Sequence, residues 1–121
     1  MKKSTIKKRI SDLWYGAMHV LHTRCAVCWS PDPEAHHIIP KGNAIAWSKE
    51  NGIGLCKDHH TGSGTPSAHG SPEAFKRWLA DKHPETARWV EANEHRIEPS
   101  VNWGEKLKEV EAWALPILEG E

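Results

Sequence analysis

The chain has 121 residues, 38% hydrophobic and 26% charged, enough for one domain with a modest core. It contains no apolar run of about 18 residues, which excludes a membrane-spanning helix. Sixteen Lys and Arg balance sixteen Asp and Glu, but unevenly: residues 1–80 hold eleven basic against six acidic side chains, and residues 81–121 hold five against ten. A basic half suits a polyanionic partner; chance segregation is the plain alternative.

Residues 1–9 include Lys2, Lys3, Lys7, Lys8 and Arg9. They read as a basic N-terminal arm that either contacts nucleic-acid backbone or only solubilises the chain. A single domain is expected over 10–121. From Ile10 the pattern is helical, with Ile10, Leu13, Trp14, Ala17, Met18 and Leu21 on one face and Ser4 or Ser11 as the cap. Cys25 and Cys28 follow, then the turn-rich Trp29–Pro33. Ala35–Ile39 is a short strand candidate ended by Pro40, and Gly52–Leu55 is the second strand of a bent hairpin. A helix can begin at Cys56 or Lys57.

Thr61–Gly70 is rich in Gly and Ser and reads as a loop, with His69 near its end. Ser71-Pro72-Glu73 is a helix start, followed by Phe75, Trp78 and Leu79 on one face. A second start lies at Pro84, ahead of Ala87, Trp89 and Val90. A third apolar pattern runs from Trp103 to Leu118, interrupted at Pro116, so a helical part spans 71–118. The seven tryptophans either anchor helices around a small core or serve base stacking or a subunit interface, which leaves a homodimer open.

The chemistry concentrates in 25–65. Cys25 and Cys28 form a C-x2-C knuckle, and Cys56 and His59 form a C-x2-H pair. Three thiolates and one imidazole are the ligand set of a closed, structural tetrahedral Zn2+ site. The plain alternative is three unrelated core cysteines. A disulfide framework fits poorly with an odd cysteine count and no signal-peptide pattern, and a cytoplasmic location is expected. On a helix Cys56 and His59 share a face while His60 points elsewhere.

His36, His37, Asn51 and His60 are left outside that zinc set. The order C-x2-C, His36-His37-x-x-Pro40, then Asn51-x4-Cys56-x2-His59-His60 resembles the HNH (His-Asn-His) endonucleases of the ββα-metal class. The resemblance is to the subgroup with an added zinc knuckle, in which a cysteine usually stands where this chain has His59. It covers about 20–65 and implies an α+β fold, a small ββα core flanked by helices.

It also implies roles. His37 corresponds to the general base, His36 and His60 to ligands of a catalytic divalent ion (Mg2+, Mn2+ or a substitute), and Asn51 to the residue that ties the inter-strand loop. His69 is a candidate extra ligand or phosphate contact. The implied reaction is hydrolysis of DNA phosphodiester bonds, leaving a 5′ phosphate and a 3′ hydroxyl; phage, mobile-element and restriction roles are all open.

The residue chemistry agrees with these roles. Neutral imidazole is available as a base at physiological pH. A cation held by few protein ligands keeps positions for phosphate oxygens. Asn offers both donor and acceptor to a loop backbone. In a regular strand His36 and His37 face opposite sides, so both reach one phosphate only if the strand ends or bulges there. The competing reading is a non-catalytic zinc-finger module binding nucleic acid or protein, which has no use for His36, His37, Asn51 and His60.

Overall fold

The computed structural model describes residues 1–98 and 100–120. Helix α1 spans Lys3–Leu21, strand β1 Glu34–His37, β2 Gly52–Leu55, α2 Lys57–His60, α3 Pro72–Lys82, α4 Pro84–Asn93 and α5 Trp103–Leu118. The fold is α+β, with one two-stranded antiparallel sheet among helices. None of the described helices is long and apolar enough to cross a membrane.

Helix α1 follows the apolar spacing: Ile10, Trp14, Ala17 and Met18 have no exposed surface, and Leu13 is 2% exposed. Its start corrects the expectation of an arm over 1–9, because the helix already runs from Lys3. The reason is Ile6, which extends the apolar stripe by one turn and packs on the core between α1 and α5. Ser4 and Ser11, expected as caps, lie inside the helix, and Lys2 at the N-cap makes no side-chain cap bond.

Helix α5 lies along α1, placing Val110 and Ala114 against Ile10, Leu13 and Ala17. Part of the charge asymmetry is used within the chain: Arg9 reaches Glu111 at 3.9 Å and Lys7 sits 4.6 Å over the Trp103 ring. Exposed pairs of this kind contribute at most about 1 kcal/mol each. They set the orientation of the helices less than the apolar seam does. Asn102 caps α5 by accepting a hydrogen bond from the Glu105 N–H at 3.1 Å. Pro116 does not interrupt α5, which continues to Leu118. Pro116 removes one ladder donor and crowds the carbonyl four residues back, a cost confined to the last turn of α5.

The strands pair antiparallel with Glu34 opposite Leu55, Ala35 opposite Gly54, His36 opposite Ile53 and His37 opposite Gly52. β1 thus lies at Glu34–His37 where Ala35–Ile39 was expected. Beyond His37 the backbone is held by other bonds, first from the Ile38 N–H to the Asn51 carbonyl at 3.0 Å. Gly52 marks a close approach, since a Cβ there would run into Met18 Sδ and stand 3.0 Å from the Trp14 ring.

A second core joins Cys25, Ile53 and Leu55 to Phe75 and Leu79 of α3, so the sheet is clamped between α1 and α3. Ser71 stands at the α3 N-cap as expected, but its hydroxyl accepts from the Ser67 N–H at 2.9 Å and makes no cap bond. Tryptophans 14, 47, 78, 103 and 113 lie in or against these two cores, whereas Trp29 is 72% exposed.

Leu13→Ala is expected to lower unfolding free energy by about 2–5 kcal/mol, because it opens a cavity in the α1–α5 seam. Val20→Ala, at a side chain that is 51% exposed, is expected to stay within about 0.5 kcal/mol. Denaturant unfolding of the two variants checks the ranking.

Candidate active site and zinc knuckle

The knuckle is built by backbone bonds. The Cys25 N–H donates to the Ser30 carbonyl and the Trp29 N–H to the Cys25 carbonyl, both at 2.9 Å. The Ala26 N–H donates to the Gly54 carbonyl at 2.9 Å, which fastens the turn to β2. Trp29 and Asp32 take left-handed backbone conformations, at φ 66° and 55°. Cys56 caps α2 from the far side: the His59 and His60 N–H groups donate to its carbonyl at 3.1 and 2.8 Å.

The Sγ atoms of Cys25, Cys28 and Cys56 lie within 4.8 Å of one another. Cys28 and Cys56 Sγ are 3.7 Å apart. A tetrahedron with Zn–S bonds of about 2.3 Å has an edge of about 3.8 Å, so this thiol set could hold zinc. Hydrogen bonding to Ser30, whose hydroxyl lies 3.2 Å away, brings the Cys28 thiol down to about 6, toward the thiolate that a metal needs. Burial pushes the Cys56 thiol up.

His59, the fourth ligand expected from the spacing, is not among the atoms of this cluster. The loop after α2 folds back, with the Ala68 N–H on the His59 carbonyl at 2.9 Å, and its Pro66 carbonyl takes His59 Nδ1 at 2.6 Å. Nε2 is the ring nitrogen that this bond leaves over. The spacing aimed His59 at the cysteine side, and the loop decided where the ring rests.

A second cluster includes His60, the last residue of α2. Ring nitrogens of His36, His60 and His69 lie within 4.8 Å of one another. The loop delivers His69 through a backbone bond from its N–H to the His60 carbonyl at 2.8 Å. Burial first, then the neighbouring imidazoles His60, His69 and His37, hold the His36 ring down at about 3. It is therefore neutral with a lone pair free at physiological pH. His69, carried forward only as an extra candidate, takes a full place in the cluster.

His37 stands on the other face of β1, because the strand is regular through His36 and His37 and holds no bulge. Its ring stacks on Trp14 at 3.8 Å and 12°, and meets Trp47 edge-on at 4.7 Å. Nδ1 is 3.5 Å from the Tyr15 hydroxyl, and Nε2 is buried without a partner among the described residues. Burial, with the Lys41 charge second, lowers the His37 pKa to about 4. Although they face opposite sides, His36 and His37 line one cleft of about 540 Å³ at the end of β1, with Tyr15, Lys41, His60 and His69.

Asn51 is fully buried beneath this arrangement. Its Oδ1 accepts from the Ile39 N–H at 2.7 Å, and its Nδ2 donates to the Ile39 and Ala46 carbonyls at 2.9 Å each.

Residues 25–62 match the family model described as HNH endonuclease. This segment is similar to the HNH endonucleases. The match takes in Cys25, Cys28, Cys56, His36, His37, Asn51 and His60, and stops short of His69. No curated protein and no solved structure matches the chain.

Sequence reasoning missed Tyr15, which α1 places over His37, and Glu34, whose Oε1 lies 2.8 Å from His60 Nδ1. The period-two pattern of a strand carried a signal for Glu34, which shares a face with His36. No comparable signal marked Tyr15, whose role depends on how the helix crosses the HNH hairpin.

Asn51→Ala leaves the Ile39 N–H and the Ile39 and Ala46 carbonyls unpaired in a buried setting. Since one such orphan costs about 1–3 kcal/mol, the variant is expected to lose at least that much stability. Thermal unfolding alongside Asn51→Asp, which keeps the acceptor, checks it.

Proposed function

We propose that this chain is a metal-dependent endonuclease that hydrolyses DNA phosphodiester bonds, with His37 as general base and His36, His60 and His69 as the metal-binding set. The single observation that carries the reading is the shared cleft: a neutral histidine and a three-imidazole cluster open onto one space.

The donor chemistry fits a divalent ion. Three imidazole ligands favour Mn2+ or another transition ion over Mg2+, which prefers oxygen ligands. Such an ion, when bound, supplies charge neutralisation at the scissile phosphate and the leaving oxygen. His37 takes a proton from the attacking water. Because Nε2 is shut away from solvent, the transfer falls to Nδ1, beside the Tyr15 hydroxyl. Stacking on Trp14 holds the ring plane, and its lowered pKa keeps the base form populated at pH 7.

Lys41 and Lys76, both lining the cleft, receive backbone phosphates. Asn51 positions the loop and touches neither metal nor substrate. Cleavage leaves a 5′ phosphate and a 3′ hydroxyl. Cys25, Cys28 and Cys56 would hold a structural Zn2+, with His59 Nε2 as the candidate fourth ligand. A purely structural zinc-finger reading gives no role to His37 or to the imidazole cluster.

Supercoiled plasmid incubated with Mn2+ or Mg2+ is expected to be nicked or cut by the wild-type chain and spared with EDTA. His37→Ala should lose about 10²–10⁴-fold in rate while still binding metal. His36→Ala and His60→Ala should lower metal affinity, with excess Mn2+ restoring part of the activity. No cleavage by wild type with either ion, or loss of metal binding in His37→Ala alone, would overturn this assignment.

Elemental analysis of the folded protein should find zinc that survives loss of the His60 side chain, and Cys28→Ala should fold poorly, since structural zinc contributes folding free energy directly. Well-folded, zinc-free protein would remove the thiol cluster from that role.

A further inference from the structure

Helix α2 carries His60 but is a single turn, and none of its residues is buried. The His60 side chain is 17% exposed, and its ring meets those of His36 and His69 at 4.9 and 5.0 Å. Ring contacts of this kind do not decide which ring nitrogen carries the proton. His36 is set by its strand and its burial, and His69 by its backbone bond to His60.

The hydrogen-bond partner of the His60 ring is Glu34, the first residue of β1. Its Oε1 is 2.8 Å from His60 Nδ1. The register makes this reach possible. Glu34 pairs with Leu55, which has no exposed surface, and Leu55 precedes Cys56, the N-cap of α2. The cross-strand pairing thus sets Glu34 at a defined distance from the helix one turn along.

The carboxylate accepts the Nδ1–H, which fixes the tautomer with the lone pair on Nε2. No Glu34 oxygen joins the His36, His60 and His69 cluster. Glu34 therefore contacts a ligand of the cluster without being one of its members.

We propose that Glu34 is a positioning residue for the metal site: its carboxylate orients His60 and strengthens Nε2 as a donor to a divalent transition ion. The inference rests on the imidazole cluster being the metal site of the proposed nuclease. Carboxylate–histidine–metal relays of this form are worth about 10–100-fold in metal affinity. An ordinary solvated pair behaves differently. The Glu34 side chain is 54% exposed, and such a pair leaves metal binding untouched when it is broken.

The test is a Co2+ titration of the zinc-loaded full chain, in wild type, Glu34→Ala, Glu34→Gln and His60→Ala. The visible d–d bands report the imidazole site, and thiolate charge-transfer bands report any Co2+ entering the cysteines. Glu34→Ala is expected to bind Co2+ about 10–100-fold more weakly, with an altered d–d spectrum at saturation and an unchanged far-UV circular dichroism spectrum. Glu34→Gln should lose less, because its amide oxygen still accepts from Nδ1–H.

Wild-type Co2+ affinity and spectrum in Glu34→Ala, alongside lost binding in His60→Ala, would overturn the role of Glu34 and leave the metal site standing. Wild-type chain that takes up Co2+ only at the cysteines would overturn both.

Discussion

The buried amide of Asn51 is the constraint on which the site's geometry depends. β1 and β2 are four residues each, too short to hold a register by ladder bonds alone. Between them runs an irregular segment whose polar backbone needs partners. Asn51 supplies three of them, satisfying both backbone groups of Ile39 and the carbonyl of Ala46. That closes the hairpin just past His37 and brings the strand bearing two histidines alongside the strand that leads to Cys56. Water cannot substitute, because the residue has no exposed surface.

On this hairpin the two metal-competent clusters share a support. Cys56 caps α2 and His60 ends it, so one helical turn separates a thiol cluster from an imidazole cluster. The second core, with Cys25 and Leu55 packed against Phe75 and Leu79, holds the knuckle and α3 together. The loop between α2 and α3 then has to return along α2, and that return delivers both the Pro66 carbonyl to His59 and His69 to His36.

The opposite face of β1 belongs to α1. The absence of a side chain at Gly52 lets Trp14 and Met18 approach the strand, and this approach stacks Trp14 on His37. Burial keeps both His36 and His37 neutral at physiological pH, which suits one to ligation and the other to proton transfer in the proposed nuclease. The two longest helices, α1 and α5, pack by apolar contact along one seam. Their opposed charges assist at the rim.

The helices and the ordered set of candidate site residues were legible in the chain alone. Apolar spacing placed α1, α3, α4 and α5, and the residues Cys25, Cys28, His36, His37, Asn51, Cys56 and His60 carried the HNH pattern in order, because ligand spacing and helical period are local properties of the chain. Tertiary structure decided which side chains meet. Residues 3–9 became helix because Ile6 found the α5 seam. His69 joined the cluster, and His59 turned to Pro66, because the loop after α2 folds back across it. Tyr15 reached His37, and Glu34 reached His60, through a helix crossing and a strand register. Such contacts depend on how distant elements pack, and local spacing in the chain carries no record of that.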